Sequence, residues 1–182
     1  MKELSLNILD ITENSVKAGA DLIFITLTET EETLTVSIQD NGCGMSPEFL
    51  EQVKDPFCTS RTTRKVGLGI PLLTLAARQT GGDVDIVSQT VEADPVNHGT
   101  ETKAMFYKNH IDFTPIGDIT ETVCTLIQCN PHIDFEYRHT TLLGEVTLST
   151  KQMREVLGEV PLNTYEVISW IREDLTEQYQ SV

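Results

Sequence analysis

The order of elements along this chain predicts an α/β (α+β) fold, a two-layer sandwich whose mixed, mostly antiparallel sheet carries helices on one face. Three observations predict it. An apolar stripe at helical spacing opens the chain. Two alternating segments joined by a short acidic turn follow it. A second long helical segment then precedes two further strands.

Over residues 2–18, Leu6, Ile8, Leu9, Ile11 and Val16 form the stripe and Gly19 ends the helix. Leu22–Thr28 and Thr33–Gln39 alternate apolar and polar residues as half-buried strands do, and Glu29–Glu32 is the turn between them. Ser46 caps a short helix with Pro47 at its first position. Residues 55–66 are polar, threonine-rich and basic, without a period. Ile70–Gln79 is the second long helix; Pro71 falls in its first turn, where a missing N–H costs nothing, and Gly81-Gly82 closes it. Val84–Ser88 and Gly99–Tyr107 are strands around the irregular loop Val91–His98.

The character changes near His110, which divides the chain into residues 1–109 and an accessory region, 110–182. In the latter, Asp118 with Glu121 marks a helix start, Ile133–Tyr137 and Glu145–Leu148 form a hairpin, and Asn163-Thr164-Tyr165-Glu166 caps a last helix. This region holds the one tryptophan and no recognisable chemistry, and is expected to pack on the first part or to meet a partner.

With 182 residues, 39% hydrophobic and 23% charged, the chain suffices for one ordinary domain or one with a small appendage. No apolar run reaches membrane-spanning length, and the acidic N-terminus is no signal peptide, so a cytoplasmic location is expected. The net charge is −15. Residues 1–109 hold 9 Lys/Arg against 16 Asp/Glu, and 110–182 hold 4 against 12. Neither part offers the basic face that nucleic acid or anionic lipid requires. Cys43, Cys58, Cys124 and Cys129 form no C-x-x-C pair and have no histidine at zinc spacing, so reduced thiols are expected rather than a structural metal site.

Four stretches carry chemistry. Asp10 and Asn14 lie one turn apart on the first helix, where a carboxylate and an amide oxygen suit a hydrated Mg²⁺ and an oriented water. Asp40-Asn41-Gly42-Cys43-Gly44 ends a strand. By itself it is an ordinary turn, yet its glycines let the backbone pass close to a flat ligand while the carboxylate accepts a hydrogen bond. Arg61, Arg64 and Lys65 form a basic cluster before Gly67-Leu68-Gly69, which opens a helix whose free N–H groups attract phosphate. The third glycine of a dinucleotide-binding fingerprint is absent, as is the GK[ST] of a P-loop.

In order, DITEN, DNGCG, DPFCTSRTTRKVGLGI and HGTETKAMF resemble the ATP-binding domain of the GHKL superfamily, which includes gyrase, heat-shock 90 chaperones, histidine kinases and MutL. The resemblance covers residues 2–109 and implies a Bergerat-type ATP-binding fold, with ATP and Mg²⁺ as cofactors. It implies that Asn14 chelates magnesium. Asp40 would accept a hydrogen bond from the adenine amino group, with a water shared by Thr100. Gly42 and Gly44 would bend the backbone beside the base. Gly67, Leu68 and Gly69 would present N–H groups to the phosphates under a lid bearing Arg64 and Lys65, with Phe57 at its hinge. Lys17, one turn beyond Asn14, would approach phosphate or ribose.

Two departures bear on function. Hydrolysing members of the superfamily usually carry glutamate four positions before the magnesium asparagine, and histidine kinases asparagine or histidine; here it is Asp10. An aspartate acts as a base where an asparagine does not, but it is one methylene shorter than glutamate, which implies slow hydrolysis. No phosphoacceptor hairpin precedes the first helix, and His98, His110, His132 and His139 all follow the central strands and read as surface residues, so histidine autophosphorylation is not expected. The expectation is an Mg-ATP-dependent protein kinase or slow ATPase, with Asp10 as its base, that regulates a protein partner. The alternative is a non-catalytic module that senses ATP or ADP. A homodimer is compatible with both. A DNA-acting ATPase would need a basic domain after the nucleotide fold, and the acidic tail has the wrong sign.

Overall fold

The structure, a computed structural model, describes residues 3–54 and 68–182. The chain forms α1 (Leu4–Lys17), β1 (Leu22–Glu29), β2 (Thr33–Asp40), α2 (Pro47–Lys54), α3 (Gly69–Gln79), β3 (Asp83–Gln89) and β4 (Gly99–Tyr107). It continues with α4 (Ile119–Cys129), β5 (Asp134–Thr140), β6 (Glu145–Ser149), α5 (Thr150–Leu157) and α6 (Tyr165–Gln180). The strands form one six-stranded sheet in the order β3-β4-β2-β1-β5-β6. Every neighbouring pair is antiparallel except β1 and β5.

Strand alternation creates the two faces. Ile23, Ile25 and Leu27 of β1 are buried, as are Leu34, Val36 and Ile38 of β2. The register sets Ile25 opposite Ile38 and Tyr137, and Val36 opposite Ala104, so one apolar face runs across both halves of the chain. Each large side chain buried there contributes about 1.5–3 kcal/mol. Helix α1 packs against α3, α4 and β2, and α6 against α4 and β6, which makes the helical layer. The intervening residues, such as Phe24 and Met105, remain exposed on the opposite face. Residues 110–182 therefore lengthen the sheet through β5 and β6, and the described residues leave that opposite face open.

Helix α1 has no side-chain cap at Glu3. Instead, the N–H groups of Leu4 and Ser5 donate to the carbonyls of Pro115 and Ile116, at 2.9 and 2.8 Å. A helix start needs such acceptors for its free donors, and here the segment entering α4 supplies them. The caps of the later helices follow their sequence signals: Asp118 Oδ1 accepts from Glu121 N and Thr164 Oγ1 from Val167 N.

One expectation is corrected. His139 is only 3% exposed, not a surface residue. It lies in β5 opposite Leu27 and Val146, on the buried face. Its ring nitrogens meet Tyr179 Oη at 2.8 Å and Glu29 Oε1 at 3.1 Å. Lys108 Nζ donates to the other Glu29 oxygen at 2.6 Å, and Tyr179 also hydrogen-bonds Tyr137. Burial lowers the His139 pKa, Glu29 works against that, and Lys108 reinforces it.

Candidate nucleotide site

The site begins at the end of β2. Asp40 is 8% exposed, and both of its carboxylate oxygens are held. Oδ1 accepts from the N–H of Gly42 at 2.9 Å and of Thr100 at 3.2 Å. Oδ2 accepts from Ser15 Oγ at 2.6 Å. A carboxylate has about four acceptor positions, so three bonds leave room for one more donor. The bond from Ser15 matters most, because Ser15 adjoins Asn14 on α1. It ties the acidic strand end directly to the helix that carries Asp10, Asn14 and Lys17.

The corner after Asp40 is built for close backbone approach. A Cβ on Gly42 would lie 2.8 Å from Ala18 Cβ and 2.9 Å from Ala18 O. Gly44 has φ +71°, and a Cβ there would lie 1.9 Å from Gln89 O; only glycine meets both demands. Asn41 secures the corner from outside, its Oδ1 accepting from the N–H groups of Asp21 and Leu22, both at 3.0 Å. His98 Nδ1 lies 2.7 Å from Gly42 O. A carbonyl only accepts, so Nδ1 carries the proton. Ser88, paired with Thr100 by strand register, lies 2.8 Å from its hydroxyl and accepts from Met45 N at 2.8 Å.

The second half of the site is where α3 begins. A Cβ built on Gly69 would lie 3.2 Å from Asp10 Cβ, so the backbone at Gly69 rests directly on α1 at Asp10. The cap position of α3, Leu68, makes no side-chain cap bond. Asp10 and Lys17 are exposed and Asn14 is half-buried. From Ser15 back to Asp10 is about 7.5 Å along the helix axis. Asp40, Gly42, Gly44 and Thr100 are thus gathered at one end of this helix segment, and Asp10, Leu68 and Gly69 at the other. Phe57, Arg64, Lys65 and Gly67 lie outside the described residues. Ser15 and Ser88 carry no sequence signal beyond the place of Ser15 directly after Asn14, and His98, which reads as a surface residue, is half-buried against Gly42.

The arrangement fits a purine nucleotide. A buried carboxylate with spare acceptor capacity sits at a corner whose glycines bring the backbone against Ala18 and Gln89, and an uncapped helix start lies one helical stretch away. Among the described residues no group of three or more His, Cys, Asp or Glu is placed to hold a metal ion. A magnesium ion here would take most of its ligands from phosphate and water, as Mg²⁺ with nucleotides commonly does, with Asn14 the protein group on hand. Among the described residues no helix is long and apolar enough to cross a membrane.

Comparisons with known proteins bear on the family and the fold. A family model described as histidine kinase-, DNA gyrase B-, and HSP90-like ATPase matches residues 2–110. The tetrathionate sensor histidine kinase TtrS of Salmonella typhimurium is 33% identical over 81 residues, 44% of this chain and 14% of that protein. Sensor protein SrrB of Staphylococcus aureus is 32% identical over 94 residues, 49% of this chain and 16% of that protein. The chain thus matches about a sixth or less of the length of these relatives. Among solved structures, the Aquifex aeolicus MutL ATPase domain complexed with ADP aligns with TM-score 0.56 and 12% identity, covering 95% of this chain and 88% of that one. The N-terminal domain of a DNA repair protein aligns with TM-score 0.58 and 18% identity, covering 87% and 58%. At these identities the likeness is one of fold, and in the MutL case it takes in most of the residues beyond 110. With the family model spanning well over half its length, the chain belongs to the histidine kinase-, DNA gyrase B- and HSP90-like ATPase family.

Proposed function

We propose that this chain binds Mg-ATP between the Asp40 corner and the start of α3, and transfers or hydrolyses the terminal phosphate to regulate a protein partner. The observation that carries the reading is the Ser15–Asp40 hydrogen bond, which fixes the purine acceptor to the helix bearing Asp10 and Asn14. Asp40 accepts the exocyclic amino group of the base, beside Gly42, Gly44 and Thr100. Asn14 orients the ion, which screens phosphate charge when bound. Leu68 and Gly69 present backbone N–H groups to the phosphates, and Lys17 approaches them from the next turn of α1. Asp10, exposed beside Gly69, takes the proton from the attacking water or hydroxyl. Phe57, Arg64, Lys65 and Gly67 complete the lid in this reading. Residues 110–182 act as the accessory region.

A non-catalytic sensor is the second reading, favoured by the shortness of the Asp10 side chain. One experiment separates the two. The full chain and its Asp10→Asn variant are incubated with γ-labelled ATP, alone and with cell extract, while ATP affinity is measured by calorimetry. The enzyme reading expects labelled phosphate or a labelled protein from the wild type only, with affinity within about threefold between the two, since one hydrogen-bonding group replaces another of the same size. Equal phosphate release from both would remove Asp10 as the base. No release or transfer by either, with ATP still bound, would leave the sensor.

A further inference from the structure

Outside the nucleotide site, a groove of about 1300 Å³ runs from the open sheet face past the β6 edge to α5 and α6. Phe24 and Thr26 of β1 and Arg138 of β5 contribute to its floor, and Met153, Val156 and Trp170 from α5 and α6 to its walls. Three large apolar side chains stand open in it: Phe24 is 40% exposed, Trp170 52% and Val156 86%. Soluble proteins seldom leave such a cluster bare without a binding role. Among the described residues the charges lining the groove are unequal: Glu136, Glu145, Glu166 and Asp174 face a single base, Arg138. Arg138 lies 3.7 Å from Glu145 and is partly neutralised by it.

We propose that this groove docks a basic amphipathic segment of a protein partner, laid in with its apolar face on Phe24, Val156 and Trp170 and its lysines or arginines against Glu136, Glu166 and Asp174. Charge complementarity selects this occupant. A second copy of the chain would set four carboxylates against four, in a molecule already at −15. Nucleic acid and anionic membranes are repelled by the same charge. The volume exceeds the roughly 300–1,000 Å³ of ordinary small-molecule sites and suits a helix about 10–12 Å across. Apolar anchors within a charged rim are the recurring design of helix-in-groove recognition.

Trp170 is the only tryptophan, so its fluorescence reports on this groove alone. The test titrates the full chain with an amphipathic peptide of about 18 residues, leucines on one face and lysines on the other, and with a counterpart carrying glutamates for lysines. The lysine peptide is expected to shift Trp170 emission to the blue and to saturate, and the glutamate peptide to do neither. Glu166→Lys with Asp174→Lys should weaken binding roughly tenfold or more. Glu31→Lys with Glu32→Lys makes the same change in net charge at the exposed β1–β2 turn and should weaken it less than about threefold. Equal weakening by the two pairs, or binding without change at Trp170, would reduce the effect to net charge and overturn the proposal. Concentration-dependent dimerisation in sedimentation, abolished by the groove pair alone, would assign the surface to a second copy and also overturn it.

Discussion

Replacing Asp40 by asparagine tests the nucleotide site at its centre, because the structure separates what the change does to the fold from what it does to a ligand. In the folded chain the carboxylate receives three donors: Gly42 N, Thr100 N and Ser15 Oγ. The asparagine oxygen still serves the two backbone donors, and Ser15, whose hydroxyl turns freely, accepts from the new amide instead of donating. What is lost is the charge assistance on these bonds, which is worth about 1–3 kcal/mol in stability. For a chain of this size that is a fall in melting temperature of roughly 2–12 °C. The ligand meets a harsher change, since a donor now points where the base also presents one. Losing a hydrogen bond to a charged group costs about 1.5–3 kcal/mol, or roughly 10- to 150-fold in Kd. Calorimetric titration with ATP and ADP, after thermal melting has confirmed a folded variant, measures both quantities. A folded Asp40→Asn protein that binds ATP within twofold of the wild type would remove the purine from this corner. Ser15→Ala is the companion: it deletes one donor and spares the acceptor, so it should cost about 1–2 kcal/mol of stability and leave affinity nearly unchanged.

Three further outcomes are expected. Gly42→Ala puts a methyl group within 2.8–2.9 Å of Ala18 and should lower stability by about 1–3 kcal/mol in urea denaturation. Gly69→Ala brings its Cβ to 3.2 Å from Asp10 Cβ, so phosphate release should fall several-fold while melting temperature changes little; unchanged release would place Asp10 outside the reaction. Stability should decline on acidification in two steps. Burial lowers the His139 pKa below its ordinary 6.5, so the unfolded chain takes that proton first and stability is lost as pH falls below about 6.5. Burial works to raise the Glu29 pKa, but Lys108 and His139 outweigh it and hold it below 4.5, so a second loss begins under that pH. Urea titrations between pH 8 and 5, approximately the range where histidine charges, should show the first step in the wild type and a flatter profile in His139→Gln.

What the sequence disclosed and what it hid divide along the distance over which a signal acts. The alternation of β2 and the stripe of α1 are local, and both elements appear within a residue or two of where the periodicity sets them. The β5–β6 hairpin was legible for the same reason. The parallel pairing of β1 with β5 was not, because it joins strands more than a hundred residues apart through no local rule. The Ser15–Asp40 bond spans 25 residues and needed the fold. Two misses were avoidable. Carrying the strand at Ile133–Tyr137 two residues further puts His139 in phase with Phe135 and Tyr137, on the buried face. Ser149 and Gln152 stand three apart as a helix-start signal, and Ser149 Oγ does accept from Gln152 N at the head of α5. That helix spans only two turns, and its apolar set of Met153, Val156 and Leu157 is too short for its period to stand out, with Thr150 its one fully buried residue.

Helix α1 is where these strands of physics meet. Its first donors are capped by Pro115 and Ile116, which belong to the stretch leading into α4, and its flank packs on α4 itself. Its middle bears Asp10 under Gly69, and its last turns hold Asp40 through Ser15 and the DNGCG corner through Ala18 O, which accepts from Cys43 N at 2.9 Å. A helix fixed at its start by one half of the chain and along its length by the other has little freedom to move alone, because close-packed interiors pass displacement on rather than absorb it. Any shift of α1 that accompanies nucleotide binding must therefore be met by α4 or by residues 115–117. The sheet connection through β5 is fixed by seven register pairs with β1, so the helical layer, rather than the sheet, is the part of residues 110–182 free to answer.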